Sequence, residues 1–588
     1  MKNLWGRMRQ LKIFASLPSR SEINSAFSTF SKREWKIFSV LTLVLLVSTL
    51  AILQNINSSF MVSVPMRGGS VNEGIIGTPR FINPILANSP ADQDLVSIIY
   101  SGLLRKGADG KLIPDLAEKY EISTDGLTYT FTLKKDLYFQ DNTPLSVDDI
   151  IFTIDAVKDP VIKSPRKGSW DGVSVEKIDD LNIKFTLKQP YASFLENTTL
   201  GIMPMHIWSG SPVELNEANV NPIGSGPYMV KSVSKQSSGV IDSYELARFD
   251  KFILGKPYIK NINLYFYSSE EDLIAALENK TVDQVSSLAP ENAKLLKDKE
   301  YRVESSVLPR VFGLFFNQNQ NQLFTNKNII TAVGLAIDKD SIVSEVLSGY
   351  GVAIDDPIPP NMIAYQKLSS EQSVTREENL RQAKEILTKD GWKMGESGFL
   401  EKTKSEKGKK DVVTVLEFSI STGNAPELVK SATLIQENLA LLGMKVDVRT
   451  FEVGNLNQGV IRPRKYDALL FGQIINNESD LYAFWHSSQR KDPGLNVAMY
   501  TNAKVDKILE DAFVTVDEQA RIKKYAQFED EIKKDMPAVF LYSPNFLYIV
   551  SKDLSGLSMD HIISPRDRFL NIYLWYTEVD NIWKIFTN

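Results

Sequence analysis

Few residues of this 588-residue chain have the types and spacing that catalysis or metal binding requires. The histidines are His206, His486 and His561, too far apart for the H-E-x-x-H helix of a zinc enzyme, and that motif is absent. The G-x-S-x-G turn of hydrolases and the G-x-x-x-x-G-K-[ST] phosphate loop are absent as well. Because the chain has no cysteine, disulfides, thiolate metal sites, a cysteine nucleophile and a lipid-modified N-terminal cysteine are excluded.

Residues 221–230, NPIGSGPYMV, bring two glycines close together, as a phosphate-binding loop would. The third glycine of a dinucleotide fingerprint is missing, and Pro227 removes an amide donor where a phosphate would need one. We therefore predict a turn in which Gly224 and Gly226 allow a tight or positive-φ backbone, followed by a strand that begins at Tyr228.

Adjacent carboxylates occur at Asp148–Asp149 and Asp179–Asp180. Acidic residues in such places favour helix starts and turns, so we interpret both pairs as structural. A glycosidase needs only two carboxylates, which leaves an extracytoplasmic hydrolase open as a minor alternative without positive support.

Composition limits the remaining classes. A chain of this length exceeds one hydrophobic core and predicts two or three domains. The net charge of −5 comes from interspersed charges, without the basic excess of a nucleic-acid surface. We expect no nucleic-acid partner.

An uncharged run of 17 residues, IFSVLTLVLLVSTLAIL, lies at 37–53. A hydrocarbon core about 30 Å thick needs about 17–25 helical residues, so this run is just long enough to cross it. The 36 residues before the run carry eight Lys and Arg against two Glu, which by the positive-inside rule places the N-terminus in the cytoplasm. We predict an uncleaved single-pass anchor in the cell membrane with an extracytoplasmic C-terminal part. A cleaved signal peptide is the alternative.

Beyond a predicted spacer at 54–70, strand and helix patterns alternate irregularly, which indicates an α/β fold. Three segments alternate apolar and polar residues as half-buried strands do: 127–133, 182–187 and 262–267. A helix is predicted over 375–392, with Thr375 and Glu378 in capping-box spacing and Gly391 at its end. Another is predicted over 517–537, ending before Pro537.

Several stretches together, in order and spacing, resemble the family 5 solute-binding proteins of ABC transporters, the oligopeptide- and dipeptide-binding group. The resemblance covers the chain from about residue 72 to the C-terminus. The stretches that carry it are 92–157 (from DQDLVSIIYSGLLR to DDIIFTIDAV), 189–208 (QPYASFLENTTLGIMPMHIW), NPIGSGPYMV, 313–360, SDLYAFWHSSQ at 479–489, 497–512 and PAVFLYSP at 537–544.

The resemblance implies an α/β, two-lobed periplasmic-binding-protein-like fold of type II, in its large cluster with an inserted subdomain. One transmembrane helix precedes it here. The implied boundaries are a cytoplasmic basic segment at 1–36, the anchor at 37–53, a linker at 54–70, lobe I at 71–108 with 221–310 and 546–588, the inserted subdomain at 109–220, and lobe II at 311–545. Hinges are expected where the chain crosses between the lobes, near Arg310–Asn317 and Leu541–Phe546.

The resemblance also implies which residues line the cleft between the lobes. TPRFINP at 78–84 matches the cleft-edge strand of the family, and YDALLFGQIINNESDLYAFWHSS at 466–488 matches its most informative region. The candidate ligand-binding residues are Arg80, Phe81, Asn83, Trp170, Phe316, Asn317, Phe471, Asn476, Glu478, Asp480, Trp485 and His486.

The chain departs from the peptide-binding pattern at one important place. Relatives typically have a tryptophan at a strand end and then an aspartate that pairs with the α-ammonium group of the peptide. The matching positions here are Phe471 to Gln473 and Ile475 or Asn476, and neither is a carboxylate. Because a buried ammonium without a charged partner is costly, we expect Glu478 or Asp480 to substitute. The arginine that some relatives use for the peptide carboxylate matches Leu470.

These observations predict a membrane-anchored, monomeric solute receptor of an ABC importer, without catalytic residues, metal or cofactor. Its default cargo is peptide, delivered to a permease and ATPase complex. A nickel chelate, haem or an oligosaccharide is the alternative cargo within the family. A sensor or envelope protein of the same fold without a transporter is the alternative function.

Overall fold

The computed structural model describes residues 19–362, 375–404 and 411–586. It divides into two units: a main body, residues 67–578, and a terminal unit in which the described N-terminal residues up to Met66 join the C-terminal residues from Val579. The first 18 residues of the predicted basic segment lie outside the described residues.

Strands and helices alternate along the described residues, as the sequence predicts. The strands are β1 Met61–Pro65, β2 Gly68–Ile76, β3 Leu104–Lys106, β4 Leu112–Pro114, β5 Ala117–Ile122, β6 Thr128–Leu133, β7 Val173–Lys177, β8 Asn182–Leu187, β9 Tyr228–Lys235, β10 Ile241–Arg248, β11 Ile259–Tyr267, β12 Gln284–Ser286, β13 Arg302–Val307, β14 Arg310–Phe316, β15 Gly351–Ala353, β16 Lys393–Met394, β17 Leu400–Lys404, β18 Val412–Val415, β19 Glu417–Gly423, β20 Lys445–Phe451, β21 Ala468–Ile474, β22 Ala538–Val550 and β23 Val579–Trp583. The longer helices are Arg20–Ser28, Lys32–Phe60, Pro90–Ile99, Val147–Lys158, Glu270–Glu278, Pro290–Asp298, Lys327–Ala336, Arg376–Lys389, Pro426–Ala440, Ala503–Val514 and Glu518–Asp535.

The terminal unit contains an apolar helix, Lys32–Phe60, that is long and apolar enough to cross a membrane. It begins with a capping box, in which the Ser31 side chain accepts from the Glu34 amide and the Glu34 carboxylate accepts from the Ser31 amide. The helix continues through residues 54–60, where the sequence predicted a spacer, because that stretch contains neither proline nor glycine.

A two-stranded ribbon follows this helix. β1 pairs antiparallel with β23, in a register that runs from Met61 opposite Trp583 to Pro65 opposite Val579. The predicted lobe I boundary kept the end of the chain with the rest of 546–588. The described end of the chain, from Val579, belongs instead to the terminal unit. It returns to the strand that follows the apolar helix.

Most strands of the main body join one sheet that has two halves. Its order is β20-β19-β21-β14-β22-β12-β2-β11-β10-β9, and β13 and β15 also pair with β22. β22 belongs to both halves, since its first part pairs with β14 and β15 and its last part with β12 and β13. The other crossing between the halves lies earlier in the chain, at residues 307–310, between β13 and β14.

A smaller sheet, in the order β5-β6-β8-β7, lies in the segment predicted as an insertion. β6 and β8 alternate half-buried and buried residues along their length, which confirms the predicted strand pattern. Their buried aromatic side chains pack with Trp170 and Phe194 into a core of their own. This core supports the residues that face the candidate site.

The helix ends also follow their sequence signals. Thr375 accepts a hydrogen bond from the Glu378 amide at the start of Arg376–Lys389, and Gly391 beyond its end has a φ of +90°. Glu518–Asp535 ends at Met536, which takes the left-handed conformation directly before Pro537. Both helices match their predicted extents to within a few residues.

The segment NPIGSGPYMV joins the insertion to the main sheet, and β9 begins at Tyr228 as predicted. Gln140 holds this junction, because its side chain accepts from the Gly224 amide and donates to the carbonyls of Ile99, Gly226 and Tyr228. Of the two predicted alternatives, a tight or a positive-φ backbone, the second does not apply, since neither Gly224 nor Gly226 has a positive φ. The glycines are required by close packing: a Cβ at Gly224 would lie 2.1 Å from the Ile99 carbonyl oxygen.

Replacing Gly224 with alanine is expected to destabilise the main body by about 1–3 kcal/mol, because the backbone of Ile99 must move to admit the methyl group. The thermal midpoint of unfolding measures this. Gly210→Ala is the matched control, since a Cβ at Gly210 meets nothing within 4 Å. Equal midpoints for the two variants would contradict the close-packing explanation.

A buried ionic network ties the C-terminal part of the main body to its sheet. The Arg568 guanidinium forms two hydrogen bonds with the Asp94 carboxylate, at 2.7 and 2.9 Å, and its Nε donates to Glu73 at 3.1 Å. The Tyr548 hydroxyl donates to the second Glu73 oxygen at 2.6 Å. Burial raises the pKa of Glu73 and of Asp94, whereas Arg568 acts to lower both. The network thus joins β2, the helix Pro90–Ile99, β22 and the C-terminal segment.

Candidate functional site

A cavity of about 520 Å³ lies in the main body, within the size range of small-molecule sites. Three parts of the chain line it: residues 84–227, which include the insertion, the turn after β21 at residues 476–480, and residues 563–570. The turn at 476–480 follows β21, a strand of the half that contains β14. Residues 84–227 lie in the chain between β2 and β9, two strands of the other half. The cavity therefore lies between segments from both halves.

The insertion positions its share of the lining through short elements. β3 carries Arg105 and Lys106, and the helical turn Phe194–Asn197 carries Glu196. Trp170 ends another short helix and is almost completely buried, with its ring 5.9 Å from Phe185 and 5.8 Å from Phe194. The aromatic core of the insertion thereby fixes this wall of the cavity.

Three carboxylates influence one another at one part of the cavity. Glu196 and Asp480 line it, and Glu478 lies on the same turn as Asp480. Burial raises the pKa of Glu196, and the neighbouring charges of Glu478 and Asp480 raise it further. Burial also raises the pKa of Asp480, although its Oδ2 accepts hydrogen bonds from the amides of Asn476 and Asn477 at 2.8 and 3.3 Å.

Lys106 is the cation of this acidic group. Its Nζ lies 3.6 Å from Oε2 of Glu196, and its charge acts to lower the pKa of both Glu196 and Asp480. Tyr191 also lines the cavity, and burial, with the charges of Asp480 and Glu196, raises its pKa to about 12. Lys106 thus stands beside two carboxylates of the described lining, Glu196 and Asp480, while the charge of Glu478 acts on Glu196, an arrangement that favours a cationic group of a ligand.

Arginines line the same cavity. Arg166 is half-buried, and burial lowers its pKa, as does the nearby charge of Arg566. No carboxylate of the described residues lies within 4 Å of the Arg166 guanidinium, whereas Asp567 lies 3.9 Å from Nε of Arg566. A half-buried guanidinium with open donor positions suits a carboxylate, because its fork of N–H groups matches the two oxygens.

Contacts between segments of the two halves hold one side of the cavity. The hydroxyls of Ser193 and Ser479 lie 2.6 Å apart, and the Ala192 amide donates to the Phe513 carbonyl at 3.1 Å. The Tyr191 and Phe513 rings stack at 4.9 Å. The structure therefore describes a state in which residues 191–193 contact Ser479 and Phe513 across the cavity.

Of the residues predicted from the sequence, Trp170, Asn476 and Asp480 line the cavity together. Glu478 does not line it, and acts on Glu196 through its charge. Of the two positions that match the usual aspartate, Ile475 is buried in the core and Asn476 lines the cavity. The predicted substitution by a nearby carboxylate is therefore sterically possible at Asp480, and its role in ligand binding stays a prediction.

The predicted cleft-edge residues form a turn that lies outside the lining. The amides of Arg80 and Phe81 donate to Oδ1 of Asp92 at 2.6 and 2.9 Å. Asn83 is completely buried, and its side chain bonds to Asn219 and to the backbone of the turn. Pro84, directly after this turn, is the residue that reaches the cavity.

The remaining predicted residues pack in the second half of the body. Phe316 and Trp485 are completely buried, and Phe471 packs against the same core as Trp485.

Asn317 and His486 are also buried and bonded within the protein. Asn317 donates to the Arg464 carbonyl at 2.9 Å. The His486 ring stacks on Tyr482 at 4.2 Å, with Nδ1 2.8 Å from the Ser488 hydroxyl. Like Phe316, Phe471 and Trp485, these two residues do not line the cavity. Ligand contact by any of the five stays an untested prediction.

Sequence reasoning missed most of the polar lining, in particular the charged residues Lys106, Arg166, Glu196 and Arg566 and the hydroxyl of Tyr191. Two signals were available. Arg166 stands four residues before the predicted Trp170, and Tyr191 and Glu196 lie in the stretch 189–208 that carries the family resemblance.

Comparison with known proteins gives consistent matches. Residues 111–493 match the family model described as bacterial extracellular solute-binding proteins, family 5 Middle. The oligopeptide-binding protein AppA of Bacillus subtilis (strain 168) is 29% identical over 523 residues, covering 87% of this chain and 92% of that protein.

Two solved structures share the fold over nearly their whole length. AppA from Bacillus subtilis in complex with a nonapeptide superposes with a TM-score of 0.64 at 28% identity, over 87% of this chain and 99% of that one. NikZ from Campylobacter jejuni in complex with Ni(L-His) gives a TM-score of 0.65 at 26% identity, over 86% and 99%.

Proposed function

This chain belongs to the bacterial extracellular solute-binding proteins of family 5, and we propose that it is the peptide receptor of an ABC importer. The observation that carries this proposal is the pairing of opposite charges in one cavity. An acidic group, Glu196 with Asp480 and Glu478, suits an α-ammonium, and Arg166 with Arg566 suits a carboxylate. A short peptide carries both.

The position of the cavity supplies the mechanism. A ligand that contacts both halves of the body favours the state in which they meet, so binding shifts the population towards the closed form. We place the hinges at the two crossings, residues 307–310 and the middle of β22, because a few residues at element ends absorb such a rotation. The closed form then docks on a permease that works with an ATPase.

The apolar helix Lys32–Phe60 supports membrane anchoring of this receptor. An uncleaved anchor with a cytoplasmic N-terminus keeps the body on the outer side and raises its concentration near the permease without any further contact. We propose that the body acts there as a monomer.

Cargo identity is tested by purifying the full chain from its host in detergent and identifying the ligand that co-purifies by mass spectrometry. A mixed population of short peptides is the expected result, because backbone and terminal groups are common to all of them. A single nickel chelate, haem or oligosaccharide would overturn the peptide proposal. Unchanged peptide uptake by cells that lack the chain would instead favour a transporter-free sensor or envelope protein.

A further inference from the structure

The last described residues of the chain expose large apolar side chains next to the apolar helix. Trp583 is 45% exposed, Ile585 73% and Phe586 70%. These residues end β23 and form the helical turn that follows it. Exposed apolar residues grouped in this way mark an interaction surface, whereas single ones need no explanation.

The register of the ribbon sets the level of this group along the helix. β23 runs back towards the helix, and its last residue, Trp583, lies opposite Met61, the first residue after Phe60. The Trp583 Nε1 donates to Oδ1 of Asn57 at 2.8 Å, and its ring lies 6.4 Å from that of Phe60. The C-terminal group is therefore level with the last two turns of the helix.

That level is the outer interface of a membrane that the helix spans. Residues 54–59, polar except for Ile56, follow the apolar run 37–53, and tryptophan is enriched where hydrocarbon gives way to headgroups. At the other end of the helix, Trp35 and Phe38 form a second aromatic group with Phe27 and Phe30. The 25 helical steps from Trp35 to Phe60 span about 38 Å at about 1.5 Å per step, close to the thickness of a bilayer with part of its headgroups.

We propose that the segment Trp583–Phe586 inserts into the outer interface of the same bilayer, so that the membrane holds this chain near both of its ends. The inference rests on the proposed anchoring by the helix. A two-stranded ribbon is only marginally stable in water, so β1 and β23 need a further surface, and lipid provides it directly beside the helix.

The absence of native cysteine allows a direct test with the full chain in vesicles of phosphatidylethanolamine and phosphatidylglycerol. Single cysteines replace Leu46 in the helix, Ile585 in the C-terminal group and Asp580 near the far end of β23, and each carries an environment-sensitive fluorophore. Spin-labelled lipid then reports contact with the bilayer, and iodide reports contact with water. We expect lipid to quench the labels at 46 and 585, and iodide to quench the label at 585 about fivefold less than that at 580.

Each other outcome overturns the inference, and the label at 46 separates the two proposals. Quenching by lipid at 46 without quenching at 585 supports the membrane anchor and refutes the second attachment to the bilayer. A protein partner that covers the segment in cells would give this same result. Lipid quenching at 580 as strong as at 585 contradicts the order of depths along the strand. Absence of lipid quenching at 46 refutes the anchoring and, with it, the inference that rests on it.

Discussion

Replacing Glu196 with glutamine and Asp480 with asparagine in one chain is expected to weaken the binding of short peptides about 10- to 150-fold. The amides keep the size of both side chains, and the amide oxygen introduced at position 480 can still accept the hydrogen bonds of the turn. What is lost is the negative charge that pairs with the α-ammonium, and one hydrogen bond to a charged group contributes about 1.5–3 kcal/mol. Isothermal titration calorimetry with a series of free peptides measures the change.

Two comparisons isolate the role of the charge. Peptides acetylated at the N-terminus should bind the native chain weakly and lose little further affinity in the double variant, because they carry no ammonium group. Asp447→Asn is the matched control, since that carboxylate lies on the exposed face of β20 and pairs with Arg449. Equal affinity of the native chain and the double variant for a free peptide would refute the assignment.

The pH dependence of binding should follow the same carboxylates. Burial raises the pKa of Glu196 and of Asp480, so both take up protons at a higher pH than free carboxyl groups do. Affinity for a free peptide is therefore expected to fall as the pH falls through these raised values, and the double variant should lose most of this dependence.

Replacing Arg568 with methionine is expected to destabilise the main body by about 3–5 kcal/mol, the largest stability effect that we expect from one side chain. The change leaves the carboxylates of Glu73 and Asp94 buried without their cation, and removing one partner of a buried pair is costly for this reason. Urea unfolding followed by tryptophan fluorescence measures the loss.

The sign of the pH effect distinguishes stranded carboxylates from a simple packing defect. Burial raises the pKa of both acids in the folded state, so the folded variant binds more protons than the unfolded chain and gains stability as the pH is lowered from neutral. Arg248→Met is the control, because Arg248 pairs with the exposed Asp250, and such surface pairs contribute about 0–1 kcal/mol. A loss for Arg568→Met no larger than for this control would contradict the network's role.

The sequence predicted the features that local patterns encode. The alternation in β6 and β8, the cap at Thr375 and the left-handed Gly391 each depend on neighbouring residues, and the structure confirms them. The family resemblance added the fold class, which the matched family and the solved structures confirm.

The candidate site was less accessible because it is assembled from distant segments. Glu196 and Asp480 are 284 residues apart, and nothing local in either stretch indicates that they share a cavity. The same reason explains why the sequence did not reveal what requires Gly224, whose missing side chain makes room for the Ile99 carbonyl, 125 residues earlier in the chain. Likewise, only the pairing of β1 with β23 shows where the end of the chain lies.

The two crossings between the halves of the main sheet lie side by side. The Leu308 amide donates to the Pro544 carbonyl, so the link from β13 to β14 is hydrogen-bonded to the middle of β22, and the pairing of β14 with β22 is irregular between Phe312 and Gly313. In the proposed closure, two adjacent links allow one rotation and resist the others. We expect the body to open and close along one path, so that cargoes of different size are accommodated by the cavity wall and by water while the surface offered to a permease stays the same.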